Sequence, residues 1–148
     1  MQIRKLDDMQ IDSAIRLVWD VFIKYEAPDY SRQGVEHFWM CVNDDSFMAQ
    51  LTFYGAYEND ELAGVLATRS SGSHIALFFV DGKHHRKGIG RKLFETALCE
   101  DPVDIMTVNS SPYATEIYHR LGFIDTDTEQ ITNGIRYTPM IYHKPGSS

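Results

Sequence analysis

The stretch HHRKGIGRKLFETAL, residues 84 to 98, combines glycines with cations, the ingredients of an anion site. Five of the chain's 14 Lys and Arg residues, Lys83, Arg86, Lys87, Arg91 and Lys92, stand between positions 83 and 92 with no acid among them, in a protein of net charge −7. From Ile89 onward Leu93, Phe94, Ala97 and Leu98 recur at helical spacing, so these cations crowd a helix N-terminus. Unpaired backbone N–H groups and a partial positive charge already lie there, and each added cation is unfavourable by about 0.3–1 kcal/mol. A bound polyanion reverses that sign, and Gly88 and Gly90 let the backbone approach it without interference from a Cβ. The run His85, Arg86, Lys87, Gly88, Ile89, Gly90 and Arg91 therefore reads as a phosphate site. The competing reading is a solvated basic helix start with flexible glycines.

Spacing narrows the chemistry. The pattern GxxxxGK followed by Ser or Thr is absent, and the dinucleotide pattern GxGxxG fails because its third glycine position is Leu93. His84 and His85 adjoin without a third ligand nearby, which makes a poor metal site, so no metal is expected. Cys41 and Cys99 have neither CxxC nor metal-ligand spacing and are too few for a disulfide framework, which fits a reduced, cytoplasmic compartment.

The elements that must position the loop are legible from periodicity. QIRKL reads as a first strand. Ala14, Ile15, Val18, Trp19 and Phe22 then mark an amphipathic helix that fades near EAPDYS, where Pro28 disfavours a helical Ala27. A second helical pattern follows at Val35, Phe38, Trp39 and Val42. LTFYGAY, LAGVLAT and HIALFFV, separated by ENDE and SSGS, predict a three-stranded antiparallel meander. The basic helix ends at Asp101 and Pro102. VDIMTVN reads as a fifth strand, and SSPYATEIYHRLG as a short helix with Ser110 or Ser111 as N-cap, Pro112 near its first turn and Gly122 at its stop. Two further strands, FIDTDTE and IRYTPMIYH, flank a turn at Asn133 and Gly134.

Length and composition bound the rest. Residues 1–148 fit one domain, and 43% hydrophobic content is that of a globular chain. The mid-chain apolar run from Ile75 to Val80 is far shorter than the roughly 20 residues that span a bilayer, so no membrane partner is expected. MQIRKLDDMQ carries charges where a secretory signal has its apolar region. The acidic balance argues against nucleic acid, which needs a broad basic face.

The order β-α-α-β-β-β-α-β-α-β-β, the glycine loop after the fourth strand and NSSPYATEIYHRLGF after the fifth resemble the GCN5-related N-acetyltransferase (GNAT) superfamily over nearly the whole chain. The resemblance implies an α/β fold of the α+β mixed-sheet kind with strands four and five splayed. It implies acetyl-CoA as co-substrate, and N-acetylation of a small-molecule or protein amine by direct attack in a ternary complex. In the family, Gln/Arg-x-x-Gly-x-Gly/Ala wraps the pyrophosphate with backbone amides; here the pattern falls on residues 85 to 90, and His85 departs from its first position. The resemblance assigns the backbone of Phe78, Phe79 and Val80 to the pantetheine arm and Asn109 to the cofactor. It assigns Tyr118, four residues before the glycine of LGF, to protonation of the departing thiolate, a role suited to a phenol of unperturbed pKa near 10. Helical spacing with Tyr113, Ile117 and Leu121 leaves a packing role open for Tyr118.

The base is left unassigned. HIALFFV contains no carboxylate, water relayed by backbone carbonyls is the default, and Glu26, Asp29, Glu36, His37 and His74 are candidates. The first two helices imply an acceptor wall: residues 1 to 50 hold nine acids against five Lys and Arg, with Trp19, Phe22, Tyr25, Tyr30, Phe38 and Trp39. A cationic amine is the acceptor such a wall would attract. A non-catalytic acyl-CoA-binding or sensing module is the alternative reading. Oligomeric state, a homodimer included, is left open.

Overall fold

The computed structural model describes residues 1–85, 87–101 and 103–145; Arg86 and Pro102 lie outside the described residues. In chain order the elements are β1 (Gln2–Lys5), α1 (Ile11–Val21), α2 (Arg32–Val42), α3 (Asp45–Ala49), β2 (Thr52–Glu58), β3 (Glu61–Arg69) and β4 (His74–Val80). There follow α4 (Ile89–Glu100), β5 (Ile105–Ser110), α5 (Thr115–Leu121), β6 (Ile124–Asp125), β7 (Gln130–Thr132) and β8 (Ile135–His143). The strands form one sheet in the order β1-β2-β3-β4-β5-β8-β6, with β7 paired to β8. All pairings are antiparallel except β4 with β5.

The sequence-predicted meander is present, and Asn59 and Asp60 turn its first hairpin with φ of 51° and 64°, the primed geometry that suits strand twist. Three expectations need correcting. The segment before β2 holds a third helix, α3, started by the Asp44 side chain accepting from Ser46 N; five residues are too few to show a period. FIDTDTE is not one strand: β6 pairs with the middle of β8, and β7 begins only at Gln130 and folds back through Asn133 and Gly134. The helix expected from SSPYATEIYHRLG opens as a 3-10 turn at Pro112–Ala114 without a side-chain cap from Ser111, and ends at left-handed Gly122 as expected.

Alternation along β3, broken by a bulge at Ala63, builds a core on each face of the sheet. Ala63 and Leu66 pack with Ile89, Leu93, Phe94 and Ala97 of α4, while Val65 and Ala67 pack with Ala14, Val18 and Phe22. Each such large side chain contributes about 1.5–3 kcal/mol on burial. The two layers of helices clamp β3 and β4 at the centre, which makes β4 a rigid base for anything built on its free edge.

That edge is free because β4 and β5 pair for only two residues, His74 with Thr107 and Ile75 with Val108. The β3–β4 register slips where Thr68 faces Ile75 and Ala67 faces Leu77, leaving Ala76 as a bulge. A bulge bends its strand, and here it lies where β4 parts from β5. The closed end is pinned by Thr107 N donating to Ser73 O and by a contact of 2.8 Å between His74 Nδ1 and Thr107 Oγ1. Burial lowers the His74 pKa to about 4, so this ring is neutral and holds the two strands together.

Candidate active site

Beyond the bulge the splayed strands open a cleft of about 450 Å³. Phe78, Phe79 and Val80 of β4 line one side, His84, His85, Gly88, Ile89 and Gly90 the loop end, and Tyr113, Glu116, Ile117, Tyr118 and Arg120 the α5 side. Val21 and Glu26 close it from below. A second cavity of about 420 Å³ beside α1 and α3, lined by Asp8, Asp12 and Asp45 among others, contains none of the sequence-predicted site residues.

The loop has the form that an anion needs. Gly88 is the N-cap of α4 in the left-handed region at φ 77°, a conformation that any L side chain strains. At Gly90 an added Cβ would meet only the Phe78 ring and Val80, at 3.5 and 3.8 Å, so it would fit the protein and intrude on the cleft. The cations divide. Lys83 pairs with Glu61 at 2.8 Å, Arg91 donates to the Arg120 carbonyl at the end of α5, and Lys87 and Lys92 are exposed. Arg91, expected at the phosphate, is thus occupied in joining α4 to α5.

His85 replaces the usual first residue of the loop pattern with a structural link. Its Nε2 donates to the Val80 carbonyl at 2.8 Å, and its ring lies 5.2 Å from that of Tyr25. His84 lines the cleft with both ring nitrogens buried and, among the described residues, without a hydrogen-bond partner. Along β4, Asp81 N donates to Ala63 O, so by alternation the peptide groups of Phe79 face β3 and those of Phe78 and Val80 face the open edge. With the Val80 carbonyl taken by His85, the peptide of Phe78 is the freest of the three expected contacts.

Tyr118 stands at the boundary between the core and the cleft. Its ring packs against Phe78 and Phe123 at 5.9 and 5.3 Å in the α4-side core, and it lines the cleft. Burial first, then the charges of Glu26 and Tyr30, raise its pKa, so the phenol stays protonated. Asn109 is placed otherwise: it is exposed on β5 opposite Pro139 and does not line the cleft.

Of the candidate bases only Glu26 reaches the cleft. Glu36 is exposed and paired with Arg32, His37 contacts Cys41, and His74 belongs to the closed end. Glu26 ends a π-turn, Phe22–Glu26, in which Ala27 N bonds back to Phe22 O; such turns recur at functional sites. It is 9% exposed and forms no ion pair among the described residues. Burial raises its pKa to about 8; the Ser111 hydroxyl opposes the rise and Asp29 adds to it. Ser111 Oγ is itself buried with no hydrogen bond of normal geometry, and it favours the ionised form of Tyr30 as well. The sequence carried a signal for Glu26: Ala14, Val18, Phe22 and Glu26 stand four apart, which puts an acid in line with a buried stripe.

The expected acidic, aromatic wall is narrower than the composition suggested. Phe22 is buried and stacks on the half-buried rings of Phe38, at 3.9 Å, and Trp19, so these rings pack with the core, and of the nine acids before residue 51 only Glu26 lines the cleft. Tyr25 and Tyr113 stack at 5.1 Å beside it.

The family model described as Acetyltransferase (GNAT) domain matches residues 26–144. A GCN5-related N-acetyltransferase from Rhodopseudomonas palustris is 18% identical, covering 97% of this chain and 95% of its own, with a TM-score of 0.81. The PaiA N-acetyltransferase of Thermoplasma acidophilum, solved in complex with coenzyme A, is 16% identical over 97% of this chain and 98% of its own, with a TM-score of 0.71. FeeM, an N-acyl amino acid synthase from uncultured soil microbes, is also 16% identical, over 98% and 91%, with a TM-score of 0.71. No curated protein matches the chain.

Proposed function

This chain belongs to the GNAT acetyltransferase family and is an N-acetyltransferase that uses acetyl-CoA, and from that premise we propose that it acetylates a small cationic primary amine by direct attack in the β4–β5 cleft. The observation that carries the reading is the convergence on one cleft of the glycine loop, the free edge of β4 and the Tyr118 side chain.

The residues present fit the co-substrate. A Cβ-free surface at Gly90, the unpaired amides of the first turn of α4 and the two unpartnered nitrogens of His84 suit a pyrophosphate, and the Phe78 peptide suits an amide-bearing arm. Acetyl-CoA supplies an activated acyl group as a thioester, with a thiolate as leaving group. The chain's part is to hold the phosphates at the loop, to align the arm on β4 and to hold a proton on Tyr118 Oη for the sulfur. Burial of the cleft walls strengthens these contacts by excluding water.

Gly90→Val tests the loop. The variant should bind acetyl-CoA at least tenfold more weakly by calorimetry while unfolding at nearly the wild-type temperature, because the added Cβ meets Phe78 and Val80 at ordinary contact distances of 3.5–3.8 Å. Unchanged affinity would remove the loop assignment. The same substitution at Gly88 is a poorer test, since its positive φ adds strain.

The acceptor reading rests on Glu26, which carries its negative charge above about pH 8, and on the neighbouring tyrosines, which together favour an ammonium by charge and by cation–π contact. Among amines of matched size, kcat/KM should be highest for cationic acceptors, and added salt should narrow the gap. A preference for anionic amines would reject the acceptor class and leave the transferase intact.

A further inference from the structure

The strand that lines this cleft, β4, holds no carboxylate, yet the cleft contains a buried one from another element. Glu26 follows the end of α1, is 9% exposed and lines the cleft, and among the described residues no cation forms an ion pair with it. A buried carboxyl without a cationic partner is costly to keep ionised, and the missing partner is a cation of a certain kind: one small enough to enter the cleft. An acceptor ammonium is such a cation. Resting on the acetyl-transfer reading above, we infer that Glu26 is a catalytic residue of this transfer, accepting a proton from an acceptor nitrogen that enters the cleft as a primary ammonium.

The groups around Glu26 suit that role. On its own segment Asp29 and Tyr30 face it, Asp29 adding negative charge and Tyr30 remaining a neutral phenol. From α5 and the turn before it come Tyr118 and Tyr113, both phenols whose pKa values rise in part from the Glu26 charge. Arg136 of β8 acts on Tyr30 and is shared with Glu129 and the Asp29 carbonyl. His84 and His85 line the cleft from the loop end, while Glu116 and Arg120 line it from α5. None of these forms an ion pair with Glu26.

The proton balance closes. An ammonium must lose two protons to become an amide N–H. The Glu26 carboxylate takes the first, which frees the nitrogen lone pair to form the C–N bond as the C–S bond breaks. Tyr118 gives its proton to the departing sulfur, and the resulting phenolate takes the second proton from nitrogen. Glu26 then releases its proton to solvent, so ammonium and acetyl-CoA yield amide, CoA thiol and one proton, with both residues restored. Protonation of Glu26 also removes one of the charges that raise the Tyr118 pKa, which makes the phenol a better acid at the moment the sulfur needs a proton.

The test uses Glu26→Gln and Glu26→Asp with two readouts. In ligand-free protein labelled with carboxyl-13C glutamate, one resonance should titrate near pH 8 in the wild type and be missing in Glu26→Gln. With two amines of different pKa, kcat/KM of the wild type should show a rising limb near pH 8 that does not move with the amine. Glu26→Gln should lose that limb and fall about 10² to 10³-fold at unchanged acetyl-CoA affinity, and Glu26→Asp should keep the limb with a smaller loss. A Gln variant with the wild-type rate and limb, or a Glu26 carboxyl that titrates like an exposed glutamate, overturns the inference while leaving the transferase standing. If the wild type releases no thiol with any amine, the acetyl-transfer reading fails first and takes this inference with it.

Discussion

Tyr118→Phe should lower kcat and kcat/KM together by about 10² to 10⁴-fold while leaving the protein folded and its acetyl-CoA affinity nearly unchanged. The substitution keeps the ring, and the ring is what Phe78 and Phe123 pack against. Only the hydroxyl is lost, and no described group hydrogen-bonds it, so its removal leaves no protein partner unsatisfied. An interaction made only as the sulfur departs lowers kcat and kcat/KM equally, whereas lost ground-state binding would raise KM alone. Full activity in the Phe variant would return Tyr118 to the core, where its 5% exposure already places the ring.

Glu26→Gln should stabilise the protein increasingly as pH rises. The carboxyl has a folded-state pKa of about 8 against an ordinary value of 4.5. A raised carboxyl pKa means that the folded state is undisturbed below about 4.5, loses stability as pH climbs from there to about 8, and is fully penalised above it. The penalty is on the order of 5 kcal/mol. Gln cannot ionise and escapes it. The melting temperatures of the two proteins should therefore be close at pH 5 and differ by about 10 °C or more at pH 8.5, the variant being higher. Parallel curves across that range would show that Glu26 ionises in the fold without cost. Greater stability together with a slower reaction is the trade-off expected of a buried group kept for chemistry.

The meander, the loop between β4 and α4, and the helix bearing Tyr118 were readable because each rests on local rules: alternation, helical spacing and glycine stops. Elements too short to show a period were not, which is why α3 and the break between β6 and β7 went unread. In the site, Gly88 at the start of α4 and Gly90 beside the cleft could be placed from local glycine rules. Side-chain contacts were harder to read, because a long cation near a helix start has several partners within reach. Arg91 turns to the Arg120 carbonyl, Lys83 to Glu61, and His85 to the Val80 carbonyl. Asn109 faces solvent on a strand whose opposite neighbour is fixed by β8, a consequence of long-range register. Glu26 could be named as one acid among several, but its burial depends on α5 and the turn before it, nearly ninety residues away, closing over the end of α1.

The most direct measurement is thiol release from acetyl-CoA by the wild-type protein over a panel of primary amines, with the acetylated amine counted by mass spectrometry in the same reaction. The expected result is amine-dependent release, one amide formed per thiol, fastest for small cationic amines and abolished when the amine is withheld. Tight binding of acetyl-CoA with no amide formed from any member of the panel would contradict the account and leave a protein that holds the co-substrate without using it.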